Sequence, residues 1–123
     1  MKKLVELLLD DKSGKDAFLF SVCCDGCHKT YRSRPRRFSK SGGAPPDKEK
    51  MPLFAAIYEQ EHRAARQDAV SQLAEHFNYC PVCKQVVCDE CFLICADIDM
   101  CRDCAERLKE TGVSVAADRS VAV

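Results

Sequence analysis

Four Cys-x-x-Cys units constrain this chain more than any other feature: Cys24/Cys27, Cys80/Cys83, Cys88/Cys91 and Cys101/Cys104. Two intervening residues let both thiolates of a unit face one centre, while nearby backbone N–H groups donate to the sulfurs. Zinc takes four such ligands in a tetrahedron at ~2.3 Å, so eight thiolates predict two closed sites and two zinc ions. Thioredoxin-like redox chemistry needs one reactive pair beside a βαβ pattern, not four pairs. The bacterial iron–sulfur run Cys-x2-Cys-x2-Cys-x3-Cys-Pro is missing, which ranks iron behind zinc. Buried apolar cysteines would not repeat one spacing four times. Cys23 and Cys95 stand outside the pattern and read as buried small thiols, with a register shift that swaps Cys23 for Cys24 as the alternative. His28, His62 and His76 read as ordinary polar residues, since eight thiolates suffice.

Four pairs can share two metals in three ways: consecutive, nested or interleaved. Nesting puts Cys80/Cys83 and Cys88/Cys91 on one metal, with only four residues to turn the chain between them. Interleaving couples Cys24/Cys27 with Cys88/Cys91 and Cys80/Cys83 with Cys101/Cys104. It turns the crowding into a bridge and is the favoured grouping; the other two stay open.

The run Cys80-x2-Cys83-x4-Cys88-x2-Cys91, followed by Cys101-x2-Cys104, resembles the cross-brace of FYVE and RING domains and the related treble clef. In that arrangement one pair lies on a knuckle and the other at a helix start. "CPVC" looks like such a knuckle and "CRDCAERL" like such a helix; "CDGCHK" and "VVCDECF" would repeat the idea. The chain also resembles small uncharacterised bacterial zinc-binding proteins. The FYVE basic, His-rich lipid motif has no equivalent in "HFNYCPVC", and no His stands between Cys80 and Cys91 as in RING domains. The resemblance therefore implies an architecture, not a lipid-binding or ubiquitin-ligase activity.

The rest of the chain predicts a small α+β domain over 1–112, zinc-stabilised and treble-clef or zinc-ribbon-like, with short β-hairpins and one long helix. Its 123 residues make a modest core, which a metal staple would support. Leu4–Leu9 and Ala17–Val22 flank a turn-rich "DDKSGKD" and predict a β-hairpin, with a short helix as the alternative for the first run. Residues 29–50 hold two Gly, three Pro and many charges and predict a loop or extended basic arm. From about 52 to 77, Leu53, Ile57, Ala65, Ala69, Leu73 and Phe77 share a four-residue step, predicting a helix of roughly 39 Å. In the cysteine-rich part, 79–112, a short helix after Cys101 should stop at Gly112, and 113–123 should be a flexible tail.

Formal charge is zero, with 19 basic and 19 acidic residues, so bulk electrostatics name no partner. No stretch approaches the roughly 18 apolar residues of a membrane span. The start, "MKKLVELLLDD", lacks a signal-peptide pattern, so patterned cysteines predict a reducing cytoplasm. Catalysis is not expected: four thiolates close each site, and Gly-rich phosphate loops, nucleophile elbows and His-Glu-x-x-His are missing. Two functions fit. One is a binding or adaptor module for an unknown protein partner, or self-association through the long helix. The other is nucleic-acid binding by the arm, where Arg32, Arg34, Arg36, Arg37 and Lys40 stand near Tyr31 and Phe38.

Overall fold

In a computed structural model that describes residues 1–121, the N-terminal apolar run is helix α1, Lys2–Leu8. One side of it is apolar enough to bury: Val5 is fully enclosed, with Leu4 and Leu9 packed alongside. Glu6, which interrupts the run, reaches Arg66 at 2.8 Å and ties α1 to the long helix. Strands β1 (Asp10–Asp11) and β3 (Phe20–Cys23) then pair antiparallel, with β2 (Ala17–Phe18) between them in sequence. A hairpin does form, but its first strand is the acidic Asp10–Asp11, because the apolar residues before it are taken by the helix.

The 29–50 segment is largely not a free arm. Thr30–Arg32 forms β4, the edge of a β1-β3-β4 sheet, and Arg36–Arg37 forms β5 against β2. Two anchors explain the departure from a loop. The Ser33 hydroxyl is buried and accepts from the Phe20 N–H at 3.1 Å, while the Phe38 ring is 1% exposed. Phe38 meets Phe18, Phe54 and Tyr58 edge-on, with ring centroids 6.0, 5.4 and 5.2 Å away. Such pairs add to the burial of large apolar rings.

Helix α2 runs Met51–Ala74, after a 3₁₀ turn at Lys48–Lys50. Its 24 residues span about 36 Å. Pro52 occupies the first turn, where a missing N–H costs nothing. The buried stripe is Ala65, Ala69, Val70 and Leu73. The four-residue step therefore holds over the second half of the helix, whereas Leu53 at the other end is 59% exposed. Phe77 lies beyond the helix, buried in β6 (Phe77–Tyr79). Strand β6 pairs with β7 (Val86–Cys88), and β8 (Phe92–Cys95) pairs with β9 (Met100–Cys101) on one side and β10 (Gly112–Ser114) on the other.

Helix α3, Arg102–Leu108, is ended by Lys109, which takes the left-handed conformation at φ 56°, and not by Gly112. Gly112 serves β10: a Cβ there would stand 2.5 Å from the Ile94 carbonyl oxygen and 2.8 Å from Cys95 Sγ. The predicted flexible tail is instead strand β10 followed by helix α4, Val115–Val121; Ala122 and Val123 lie outside the described residues. Asp89 fastens this end, accepting from Arg119 at 2.8 Å, while its carbonyl accepts from the Ala116 N–H at 3.1 Å. The expected limit at Gly112 thus falls at the start of a paired strand.

Two apolar clusters result. One contains most of the cysteines with Val5, Val22, Val70, Leu73, Phe77 and Val87. The other contains Phe18, Phe20, Phe38, Ala65 and Ala69. The second cluster needs the arm to close it. Replacing Phe38 by Ala should therefore cost about 3–5 kcal/mol in denaturant unfolding of the metal-loaded protein. A change within about 0.5 kcal/mol, as for a solvated loop residue, would show that the ring is not part of the core.

Candidate metal centre

Two knuckles of like geometry carry the first two cysteine pairs. In one, the chain leaves β3, turns through Cys24-Asp25-Gly26-Cys27 and returns as β4. The Cys24 N–H bonds to the Lys29 carbonyl at 3.0 Å and the His28 N–H to the Cys24 carbonyl at 3.0 Å. In the other, β6 leads into Cys80-Pro81-Val82-Cys83 and β7 leads out, with Cys80 N–H to Gln85 at 2.9 Å and Lys84 N–H to Cys80 at 2.8 Å. The residue after each second cysteine has left-handed backbone, His28 at φ 62° and Lys84 at φ 66°. That conformation is uncommon away from glycine and lets the turn close around the sulfurs.

The other two pairs differ from each other. Cys101 is the N-cap of α3, and its sulfur accepts from the Cys104 N–H at 3.5 Å, so this pair does sit at a helix start. Cys88 ends β7 and Cys91 precedes β8, with the Cys91 N–H bonded to the Cys88 carbonyl at 3.0 Å. "VVCDECF" therefore forms a strand-to-strand turn and not the second helix start that the resemblance implied.

Interleaving describes the result. Cys24, Cys27, Cys88 and Cys91 bring their sulfurs within 4.8 Å of one another, as do Cys80, Cys83, Cys101 and Cys104. The Cys27–Cys88 separation is 3.8 Å; Cys83–Cys101 is 3.7 Å and Cys80–Cys104 is 3.9 Å. A tetrahedron with ~2.3 Å metal–sulfur bonds has edges of ~3.8 Å, which these three separations match. Cys23 and Cys95 belong to neither tetrad: the Cys23 thiol is exposed and donates to the His28 carbonyl at 3.3 Å, while Cys95 is half-buried under β10. His62 is bonded to Asp11 at 2.7 Å, and His76 lies stacked on Tyr31.

Burial and backbone N–H groups shift the thiols of each tetrad in opposite directions. Burial pushes the Cys24 thiol up, but N–H groups of Cys27, Cys88 and Gly26 outweigh it and bring it down to about 7. Cys80 is likewise pushed up by burial, yet N–H groups of Cys83, Cys101 and Val82 lower it to about 6. Their partners move the other way: burial and neighbouring thiols raise Cys91, and burial with the same crowding lifts Cys101 to about 12. Each tetrad thus holds one thiol shifted toward the thiolate, Cys24 or Cys80, and one shifted away from it, Cys91 or Cys101, whose proton a metal would have to displace.

Two arginines that sequence reasoning did not single out reach the sulfurs. The Arg102 guanidinium donates to Cys91 Sγ at 3.5 Å, and the Arg107 guanidinium to Cys104 Sγ at 3.2 Å. Arg107 follows Cys104 by three residues, one helical turn, which is the signal that could have found it. The Asp25 carboxylate accepts from the Val86 N–H at 3.0 Å and latches the first knuckle to β7. Gly26 allows that approach, since a Cβ there would meet Cys91 Sγ at 3.3 Å.

The basic residues of the arm are not gathered at the tetrads. Arg36 pairs with Asp68, and Arg37 donates to the Ser41 carbonyl at 3.2 Å. Arg32 and Arg34 border an open recess of about 370 Å³ beside Gln72, Glu75 and His76. Lys40 borders a separate groove near Phe54. Tyr31 packs edge-on against Phe77 at 5.1 Å and Phe38 is buried, so neither ring is free to stack on a base. Among the described residues, no helix is long and apolar enough to cross a membrane.

Outer-sphere donors to metal ligands typically change affinity 10–100-fold. Chelator competition should therefore show Arg102→Ala weakening the Cys24 tetrad and Arg107→Ala weakening the Cys80 tetrad, each roughly 10-fold or more. Equal loss at both sites from either change would show that the effect is not local.

Comparison with known proteins returns no relative: no protein-family model matches this chain, and no curated protein or solved structure matches it significantly.

Proposed function

We propose that this is a zinc-organised binding or adaptor module for protein partners, in which two cross-braced four-cysteine sites of treble-clef type are structural. The closure of both tetrads by four thiolates supports this reading most directly. A catalytic zinc keeps an open position for water, usually among His or carboxylate ligands, whereas here four sulfurs complete each tetrahedron. Function is then carried by the surface that the metals hold in shape. Zinc is preferred for its affinity for tetrahedral thiolate sets, and a reducing cytoplasm would keep the thiols available.

Metal analysis of purified protein should give two zinc ions per chain, with the intense visible absorption of tetrahedral cobalt thiolates after substitution. One ion or none would refute the two-site reading. Acid should strip the metals, because binding displaces thiol protons; apparent affinity should fall more than about tenfold per pH unit below neutrality. Affinity that stays level from pH 7 to 5 would contradict thiolate ligation. For the adaptor role, the zinc-loaded chain should retain a protein partner in stoichiometric amount, and Cys101→Ser, which breaks one tetrad, should abolish retention.

A second reading, nucleic-acid binding, draws on the exposed Arg32 and Arg34 beside their recess and on Arg37 and Lys40. With Tyr31 and Phe38 engaged in packing, it would rest on phosphate contacts alone. Retention on nucleic acid should then fall steeply with salt and weaken in Arg32→Ala/Arg34→Ala. Binding that is absent at low salt, or unmoved by the double change, sinks it.

A further inference from the structure

The groove between the start of α2 and the Ser39–Pro46 segment is built like a peptide site, and we propose that it docks an acidic segment of a partner protein that inserts one bulky apolar side chain. The inference rests on the adaptor reading and names the surface and the partner chemistry. Two adjoining concavities, about 660 and 460 Å³, share Phe54, Ala44 and Pro46 as walls. Leu53 and Ile57 line one end, and Leu53 is 59% exposed, although it stands in the apolar step of its helix. An exposed leucine over a proline-walled trough is surface that the fold does not use.

Charge selects the occupant. Lys15, Lys40 and Lys50 line the two concavities against one carboxylate, Asp16, which already accepts from the Ser41 hydroxyl at 2.9 Å. Three ammonium groups around an apolar floor complement carboxylates that flank an apolar anchor. The Arg32/Arg34 recess lacks this combination, since Glu75 and His76 stand in its wall and Leu73 beneath it is buried.

The walls are held before any ligand arrives. Phe38 lies edge-on to Phe54 and Tyr58, and the Tyr58 hydroxyl donates to the Gly14 carbonyl at 2.8 Å. Ser39 bonds Glu61 through its N–H at 3.0 Å, fixing the start of the opposite wall to α2. A site already formed loses little to ordering when a peptide binds. Its open trough shape suits a chain segment and not an enclosed small molecule.

The test is a random-peptide display selection on the full, zinc-loaded chain, followed by fluorescence anisotropy of the selected peptides. The expected winners carry Leu, Ile, Phe or Met flanked by Asp or Glu. Their affinity should drop at least about tenfold in Leu53→Glu and in Lys40→Glu/Lys50→Glu, and weaken with salt. Both variants alter exposed side chains, so circular dichroism and bound zinc should match the parent. Selected peptides without that composition, an empty selection, or binding unmoved by either variant overturns the groove. Stoichiometric capture of a protein partner that Leu53→Glu leaves intact would overturn the groove while sparing the adaptor reading. The chain itself exposes Asp97-Ile98-Asp99. Self-association in sedimentation that both Ile98→Glu and Leu53→Glu abolish would identify a second copy as occupant and overturn the partner assignment.

Discussion

The cysteine-rich half of this fold depends on the way two four-cysteine tetrads divide neighbouring cysteines between them. Four residues, Lys84 to Val87, separate Cys83 of one tetrad from Cys88 of the other. Strand β7 is therefore a strut between the two tetrads. The coupling recurs at α3: Cys101 and Cys104 hold one tetrad, while the Arg102 N–H bonds the Cys91 carbonyl at 2.7 Å and its guanidinium reaches Cys91 Sγ. Removing either metal would leave buried thiols crowded together and the strut loose at one end. Structural zinc contributes on the order of 10–16 kcal/mol apparent per site in small peptides, comparable with the stability of a whole domain. A bound metal would add that contribution to a cluster in which most of the buried residues are cysteines and small aliphatics.

Helix α2 carries this rigidity to the rest of the molecule. Val70 and Leu73 pack into the cysteine-rich cluster, while Ala65 and Ala69 pack into the aromatic one. Small residues at 65 and 69 let Phe18, Phe20 and Phe38 approach the helix closely, so the aromatic cluster packs without cysteines. Beyond it, the first turns of α2 run past the core and leave Met51 and Leu53 exposed. The metal end is thus closed and self-satisfied, and the aromatic end presents the surface.

How much of this could be read from sequence follows from where the information lies. The cysteine pairs were legible because metal geometry imposes one spacing, and the crowding of Cys83 and Cys88 favoured interleaving before any coordinates. The second half of α2 was legible through its four-residue step. The arm has the polarity of a loop, and only Ser33 and Phe38 signal that its backbone is paired. The tail differs for a similar reason: a glycine after a short helix has the signature of a helix stop, whereas Gly112 serves a tight strand approach at Ile94 and Cys95. Arg102 and Arg107 escaped notice because a charge that donates to sulfur looks the same in sequence as one facing water.

The central claim is the division of the eight thiolates, and cadmium can report it directly. In protein loaded with ¹¹³Cd, scalar coupling to cysteine β-protons identifies which residues share each ion. One cadmium should couple to Cys24, Cys27, Cys88 and Cys91, and the other to Cys80, Cys83, Cys101 and Cys104. A cadmium coupled to both Cys80/Cys83 and Cys88/Cys91, or to both Cys24/Cys27 and Cys80/Cys83, would contradict it.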